Sequence, residues 1–126
     1  MAGTLTISTL SDGTNSTSST NCIQGSAKAW VNYNASTQTV RASYNVSSVT
    51  YIGTGNYRVN FTTAFSDANY AVTGIANYVQ PSSYLAFLTL DTAVPQTTTG
   101  VTIYVAPGAG GGGTANPAYV NLACFR

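Results

Sequence analysis

The stretch Tyr57-Arg58-Val59-Asn60-Phe61-Thr62 decides the fold of this chain, because its side chains alternate between apolar and polar. Successive side chains of a β-strand point to opposite faces of a sheet, so Tyr57, Val59 and Phe61 share one face. Aromatic and branched side chains on a single face are typical of a strand that is half-buried against a core. We therefore predict a strand over residues 57–62, with Val59 and Phe61 turned inward.

The segments on either side of this stretch carry the same period of two. Gly53-Thr54-Gly55-Asn56 has the composition of a tight hairpin, because glycine accepts a positive φ, and it joins residues 48–52 to the strand at 57–62. No stretch shows helical periodicity, and further strands are expected at residues 4–10, 28–33, 40–46, 70–79, 84–90, 101–105 and 118–125. Seven or eight short strands separated by turn residues predict an all-β fold, an antiparallel β-sandwich.

The beginning of the chain differs in composition from the rest. Residues 1–24 are rich in serine and threonine and cannot bury enough apolar surface to fold by themselves. The whole chain has 126 residues, which is the size of a single domain. We expect a connecting arm with one short strand at residues 1–24 and a β-sandwich domain at residues 25–126.

Charged residues make up only 6% of the chain, and four cations against three carboxylates give a net charge of +1. Four dispersed cations cannot neutralise a run of phosphates, so we expect no nucleic-acid partner. No apolar run approaches the roughly 18 residues of a membrane span, so we expect no membrane insertion. A surface this close to neutral repels its own copies weakly, which favours an assembled protein.

The groups that usually perform catalysis are nearly all missing from the sequence. Histidine and glutamate are absent, and the three aspartates, Asp12, Asp67 and Asp91, are dispersed and stand in turn-like contexts. A carboxylate pair could form only between subunits. Two cysteines without histidine cannot build a structural zinc site in one chain. We expect no enzyme activity, no metal site and no cofactor.

The two cysteines, Cys22 and Cys124, lie far apart in the sequence. They could form a disulfide if their segments are neighbours in the fold. In a reducing cytosol, two small buried thiols are the favoured state.

Five blocks of sequence resemble a family of phage tail-fibre tip domains that is abundant in marine and cyanobacterial phages. The blocks occur in order, at residues 25–34, 41–50, 53–62, 67–70 and 124–126. The resemblance covers roughly residues 22–79 and the last few residues, and residues 79–118 carry no motif of the family.

The resemblance implies a non-enzymatic structural protein of the virion, made in the host cytoplasm and exposed on the phage particle. It implies a homotrimer joined to other virion proteins (a fibre shaft, tail or capsid). The resemblance does not identify a receptor, and we expect the distal domain to attach to the host surface through a glycan or an outer-membrane protein. A phage head fibre or capsid decoration protein with a purely structural role is the alternative.

The position of Trp30 in its predicted strand gives a reason to consider a subunit contact that does not depend on this resemblance. Lys28, Trp30 and Asn32 share one face of their predicted strand, and the opposite face is also apolar. Such a strand is either central in the sandwich or buried at a subunit contact, where tryptophan is favoured. We therefore consider Trp30 both as an ordinary core residue and as an interface residue.

The nine tyrosines of this weakly charged chain suggest a surface that stacks on sugar rings. Candidate ligand-binding residues flank the turn at residues 80–83 and the glycine-rich segment before residue 116. They are Tyr78, Gln80, Ser82, Ser83, Tyr84, Asn116 and Tyr119. The alternative is that they are ordinary turn and strand residues.

Overall fold

The computed structural model describes residues 3–77, 86–91, 93–107 and 116–126. These residues form ten strands and one short helix, which confirms the prediction of an all-β fold. In chain order the elements are β1 (Thr9–Ser11), β2 (Ser16–Ser18), α1 (Ser19–Gly25), β3 (Ala27–Asn34), β4 (Thr39–Tyr44), β5 (Val46–Gly53), β6 (Asn56–Phe61), β7 (Ala71–Ala76), β8 (Ala86–Leu90), β9 (Gly100–Pro107) and β10 (Val120–Phe125).

Eight of the strands form two antiparallel sheets of four. One sheet, which we call the Trp30 sheet, has the order β4-β3-β10-β7. The other, which we call the Arg58 sheet, has the order β5-β6-β9-β8. β10, the last strand in sequence, is therefore a central strand, hydrogen-bonded to both β3 and β7.

The inner faces of the two sheets share one hydrophobic core. Val59 is 1% exposed and lies opposite Val49 on β5 and Val101 on β9. The rings of Tyr33 and Tyr57, one from each sheet, meet edge to face with their centroids 5.5 Å apart. Tyr57, Val59 and Phe61 are all buried, as their spacing predicted, and the core is completed by Ala29, Val31, Ala35, Tyr70, Val101, Ile103, Val105, Val120, Leu122 and Cys124.

The predicted hairpin between β5 and β6 is confirmed. Gly53 pairs with Asn56, which leaves Thr54 and Gly55 as the loop. Gly55 has a φ of 74°, a conformation that glycine adopts without steric cost. The turn therefore fixes the register that places Val59 and Phe61 inward.

The strand predicted over residues 40–46 is in fact interrupted at Asn45. β4 ends at Tyr44 and β5 begins at Val46, so the chain leaves the Trp30 sheet and enters the Arg58 sheet at this residue. Asn45 has a φ of 52°, which asparagine tolerates better than most side chains. The alternating pattern crosses this corner without a break, which is why it predicted one continuous strand.

The prediction of a strand at residues 4–10 is wrong, because the arm forms a hairpin of β1 and β2 followed by α1. Asp12 fixes the turn, since its Oδ1 accepts hydrogen bonds from the backbone N–H groups of Thr14 (2.9 Å) and Asn15 (2.7 Å). Ser18 caps the helix by accepting the Asn21 N–H at 3.1 Å. Two turns of helix are too short for a periodic signal, so no pattern of residues indicates α1.

Both cysteines are free thiols, as favoured by the sequence, but they are not both buried. Cys124 faces the core from β10, and burial raises the pKa of its thiol to about 12. Cys22 is exposed, because it belongs to α1, whose residues are exposed or half-buried. Over the part of the chain that the structure describes, α1 is too short to span a membrane, and no longer helix is present.

Candidate functional site

The outer face of the Trp30 sheet is apolar and exposed. Trp30 lies opposite Tyr44 on β4 and opposite Ala123 on β10. Trp30 is 39% exposed, Tyr44 is 58% exposed and Ile75 on β7 is 69% exposed. We call this surface the Trp30 face and define it by the exposed side chains Trp30, Ala42, Tyr44, Thr73 and Ile75.

The position of Trp30 contradicts one of the two interpretations of the sequence, that of an ordinary core residue. β3 is a central strand, but only its inner face, with Val31 and Tyr33, is covered by the other sheet. Trp30 points to the opposite side and is not a core residue of this chain. The interpretation of Trp30 as a core residue is therefore wrong, and its role as an interface residue stays a prediction.

A groove of about 400 Å³ runs along the Trp30 face. Ala123 has the smallest side chain in its row, and it lies between the larger groups of β3 and β7. In this row the walls of the groove are Trp30 on one side and Thr73 on the other, and the next row along the strands holds Asn32, Asn121 and Ile75.

Two cations border the Trp30 face. Lys28 precedes Trp30 on the same side of β3, and Arg41 lies near Asn32, where a β-bulge adds a residue to β4. Arg41 donates to the carbonyl oxygen of Ala118 at 2.5 Å, and its guanidinium lies 4.2 Å from the ring centroid of Tyr119. The side chain of Arg41 is thereby held at the edge of the face.

A larger cleft of about 600 Å³, which we call the corner cleft, lies where the chain passes from one sheet to the other. Tyr44 belongs to both surfaces, so the corner cleft is continuous with the Trp30 face. Its lining residues are Lys28, Tyr44, Asn45, Thr62, Thr63, Ala64, Phe65, Ser66 and Arg126.

Asn45 holds the walls of the corner cleft together. Its Nδ2 donates to the carbonyl oxygens of Lys28 and Thr63, each at 3.1 Å, and its Oδ1 accepts the Thr63 N–H at 2.8 Å. One side chain thus joins β3, the β4–β5 corner and the segment after β6. A cleft fixed in this way is preorganised for a ligand.

The base of the corner cleft is aromatic and belongs to the core. Phe65 stacks on Phe61 at 4.6 Å between ring centroids and meets Tyr70 edge to face at 4.7 Å. The Tyr70 hydroxyl donates to the carbonyl oxygens of Thr97 (3.1 Å) and Gly100 (3.0 Å). These contacts fix the loop after β6 against the sheets.

Both cations of the corner cleft already have partners. Arg126 forms an ion pair with Asp67, and this guanidinium, together with the Asn69 N–H, lowers the pKa of the Asp67 carboxyl. Lys28 donates to the Ser26 Oγ at 2.7 Å and to the carbonyl oxygen of Ile23. What the cleft offers to a ligand is therefore an exposed tyrosine ring with neighbouring hydroxyl and amide groups.

Five of the seven predicted ligand-binding residues fall outside the described part of the chain. They are Tyr78, Gln80, Ser82, Ser83 and Tyr84.

The other two predicted residues lie on different parts of the molecule. The Oδ1 of Asn116 accepts the Tyr57 hydroxyl at 2.5 Å and the Gly55 N–H at 3.0 Å, so Asn116 fastens the β5–β6 turn to the core. Tyr119 is 50% exposed and lies beside Arg41, on the Trp30 sheet.

Sequence reasoning missed Tyr44, Asn45 and Thr63 as site residues. The pair Tyr44-Asn45 at the end of an alternating run could have indicated the corner between β4 and β5, because asparagine is one of the few residues that readily adopt a positive φ.

Within residues 3–77, 86–91, 93–107 and 116–126, no three histidine, cysteine or acidic side chains come together to hold a metal ion. No protein-family model, curated protein or solved structure matches this chain.

Proposed function

We propose that this chain is the distal, non-enzymatic domain of a homotrimeric phage tail fibre that binds a glycan on the host surface. The observation that carries this proposal is the corner cleft, an open and preorganised recess that presents an exposed aromatic ring beside hydroxyl and amide groups. The resemblance of residues 25–34, 41–50 and 53–62 to phage fibre tips supports the same function, since Lys28, Tyr44 and Asn45 belong to these blocks.

A glycan is the ligand class that the chemistry of the cleft favours. Tyr44 offers a flat apolar ring, and Thr62, Thr63 and Ser66 offer hydroxyl groups that donate and accept hydrogen bonds. Because Asp67 neutralises Arg126 and Lys28 is the one other charged side chain of the lining, a polyhydroxylated ligand of low charge fits better than a highly charged one. Affinity at each cleft is modest, and several fibres on one particle make attachment effective through avidity.

The Trp30 face supports the trimer. Interface centres are enriched in tryptophan and tyrosine and depleted of charge. Trp30 lies on the central strand β3, whereas Tyr44 lies on the edge strand β4, where the face meets the corner cleft, and Lys28 and Arg41 stand at the border. The aromatic centre and charged border have the composition of a subunit contact.

Binding to a panel of bacterial surface polysaccharides tests the glycan, with Tyr44→Ser and Thr63→Val as cleft variants. Phe87→Ser is the matched control, because Phe87 is a 52% exposed aromatic residue on the other sheet. We expect the cleft variants to lose at least about tenfold in affinity, since each removes one stacking or hydrogen-bonding group, and the control to bind as the original chain does. Equal binding by all variants would place the glycan elsewhere.

Light scattering tests the trimer. A mass of three chains is expected, independent of reductant because both thiols are free. A monomer that binds none of the polysaccharides would contradict both parts of the proposal and favour a head fibre or capsid decoration protein.

A further inference from the structure

The arm, residues 3–25, exposes most of its large apolar side chains. Leu5 is 82% exposed, Leu10 is 54% exposed and Ile23 is 64% exposed, while Ile7 is 39% exposed. A two-stranded hairpin such as β1–β2 is only marginally stable without a further surface to pack on. The arm therefore carries apolar groups that its own hairpin and helix do not cover.

The arm is joined to its own sheets by few contacts. Among the described residues, the hydrogen bond that links it to a sheet strand runs from the Lys28 Nζ to the carbonyl oxygen of Ile23. The Trp30 face of the same chain is exposed as well. Each chain thus has two apolar surfaces, the arm and the Trp30 face, that do not cover each other.

The charges on these two surfaces are of opposite sign. Asp12 is the single charged side chain of the arm. Hydrogen bonds from the N–H groups of Asn15 and Thr14 lower the pKa of the Asp12 carboxyl, so it is ionised at neutral pH. The two side chains that border the Trp30 face, Lys28 and Arg41, are cations.

We propose that the arm of one copy packs along the Trp30 face of the next copy, with Leu5, Ile7 and Leu10 in the groove that Trp30 and Ile75 line. This inference rests on the proposed trimer and names the contact that builds it. The contact is heterologous, because a different surface is used on each side, and such contacts close into a ring when their rotation fits. Three arm-to-face contacts then make one closed trimer.

The single tryptophan of the chain makes this contact measurable. Trp30 forms one wall of the groove, so an arriving arm shields its indole from water and shifts its fluorescence to shorter wavelengths. We would record Trp30 emission and mass by light scattering over a wide range of protein concentrations. In the original chain, the emission shift and the rise in mass are expected to follow the same curve.

The arm variant Leu5→Ser/Ile7→Ser/Leu10→Ser removes the apolar groups that fill the groove. Its association is expected to be weaker by about 100-fold or more, because the three lost side chains are the apolar groups that become buried when the copies assemble. The control variant Ile52→Ser/Phe87→Ser/Leu90→Ser removes three exposed apolar side chains from the Arg58 sheet and should assemble normally. All substituted positions are exposed, so both variants should fold.

A mixing experiment tests the direction of the contact. The face variant Trp30→Ser/Ile75→Ser keeps an intact arm, and the arm variant keeps an intact face. Neither should assemble alone, whereas a mixture should form a 1:1 pair. The remaining tryptophan, in the arm variant, should then shift to shorter wavelengths.

Three outcomes would overturn the inference, and they separate it from the proposed function. If the arm variant assembles as the original chain does, the arm is not the occupant and the trimer stands. If the original chain stays monomeric with unchanged emission, both the trimer and the arm contact are wrong. If it stays monomeric but the arm variant alone shifts to longer wavelengths, the arm covers its own face.

Discussion

The two four-stranded sheets have similar inner faces and opposite outer faces. On the Arg58 sheet the outward side chains bind one another: Asn60 donates to the Ser48 Oγ at 3.0 Å and to the Thr50 Oγ1 at 2.9 Å. On the Trp30 sheet the corresponding positions are Trp30, Tyr44 and Ile75, which are exposed.

Arg58 is a further outward side chain of this sheet that forms hydrogen bonds within the chain. Its guanidinium donates to the Thr97 Oγ1 at 3.0 Å, and its position opposite Thr102 keeps it half-buried. An outer face whose polar groups bind one another is stable in water without a partner. An apolar outer face gains free energy when a partner covers it, so the difference between the two outer faces favours the Trp30 sheet as the contact surface of the proposed trimer.

The largest effect should come from a charge on an inner face. Val59→Asp is expected to unfold the domain at a cost above about 4 kcal/mol, because it buries an unpaired carboxylate in the shared core. The matched change on an outer face, Ile75→Asp, should leave the chain folded, since that side chain is 69% exposed. Circular dichroism of the two variants checks this difference. A folded Val59→Asp protein would contradict the strand register.

A smaller loss is expected where the Arg58 sheet has no room for a side chain. A Cβ at Gly100 would lie 2.5 Å from the backbone oxygen of Val59, so Gly100→Ala should force β9 away from β6 and cost about 1–3 kcal/mol. Gly53→Ala is the control, because a Cβ there meets open space, and it should change stability by less than about 0.5 kcal/mol. Urea unfolding measures both. Equal stabilities of Gly100→Ala and Gly53→Ala would show that β9 can move away from β6 without a loss of stability.

The paired tyrosines of the core should respond differently to loss of their hydroxyl groups. Tyr57→Phe removes the bond to Asn116 and should cost about 1 kcal/mol. In the part of the chain that the structure describes, the Tyr33 hydroxyl is buried without a hydrogen-bond partner, so Tyr33→Phe should be neutral or stabilising. Thermal unfolding measures the stability of the two variants. A larger loss of stability from Tyr33→Phe than from Tyr57→Phe would contradict the assignment of the hydrogen bond to Tyr57.

Alkaline pH gives a further test of Tyr57. Burial raises the pKa of Tyr57 to about 12 from an ordinary value of 10.0. A group whose pKa is raised by folding stabilises fully below its unfolded pKa, so this stabilisation is lost as the pH rises from about 10 to about 12. Tyr57→Phe should therefore show a shallower loss of stability over this range. An unchanged slope would mean that other groups account for it.

The smallest effect is expected at the edge of the corner cleft. Asp67→Asn keeps an acceptor for the Asn69 N–H but removes the ion pair with Arg126, which is largely open to solvent. Because Arg126 lowers the pKa of Asp67, the ion pair stabilises above pH 3.8 and this contribution is lost as the pH falls below that value. The melting temperatures of Asp67→Asn and of the original chain should differ slightly at pH 7 and coincide at pH 2. A difference that persists at pH 2 would point to packing instead of charge.

The inner faces could be predicted from the sequence because alternation within one strand states which residues share a face. Tyr57, Val59 and Phe61 alternate with polar residues within one strand, and the hairpin at Gly55 fixes their register. The environment of Trp30 could not be predicted in this way, because both faces of β3 are apolar. The alternation then does not show which of the two faces the second sheet covers. The helix α1, which begins at the Ser18 cap, has only 7 residues and is too short for a helical period to be detected.

The corner cleft could not be predicted, since its residues are distant in sequence. Lys28, Tyr44, Thr63 and Arg126 meet only because the chain changes sheets at Asn45. The predicted binding residues were chosen for their position beside turns, a signal that also marks structural residues. Asn116 is an example, because its amide oxygen is used within the fold.

The central position of β10 has a consequence for synthesis on the ribosome. β3 and β7 flank the gap that β10 fills, and β10 is made last. Until residues 120–125 leave the exit tunnel, Val31 and Tyr33 have no neighbouring strand on that side and the Trp30 sheet is split in two. The Trp30 sheet is therefore completed only once β10 has been made, and until then the edges of β3 and β7 that β10 covers stay unpaired.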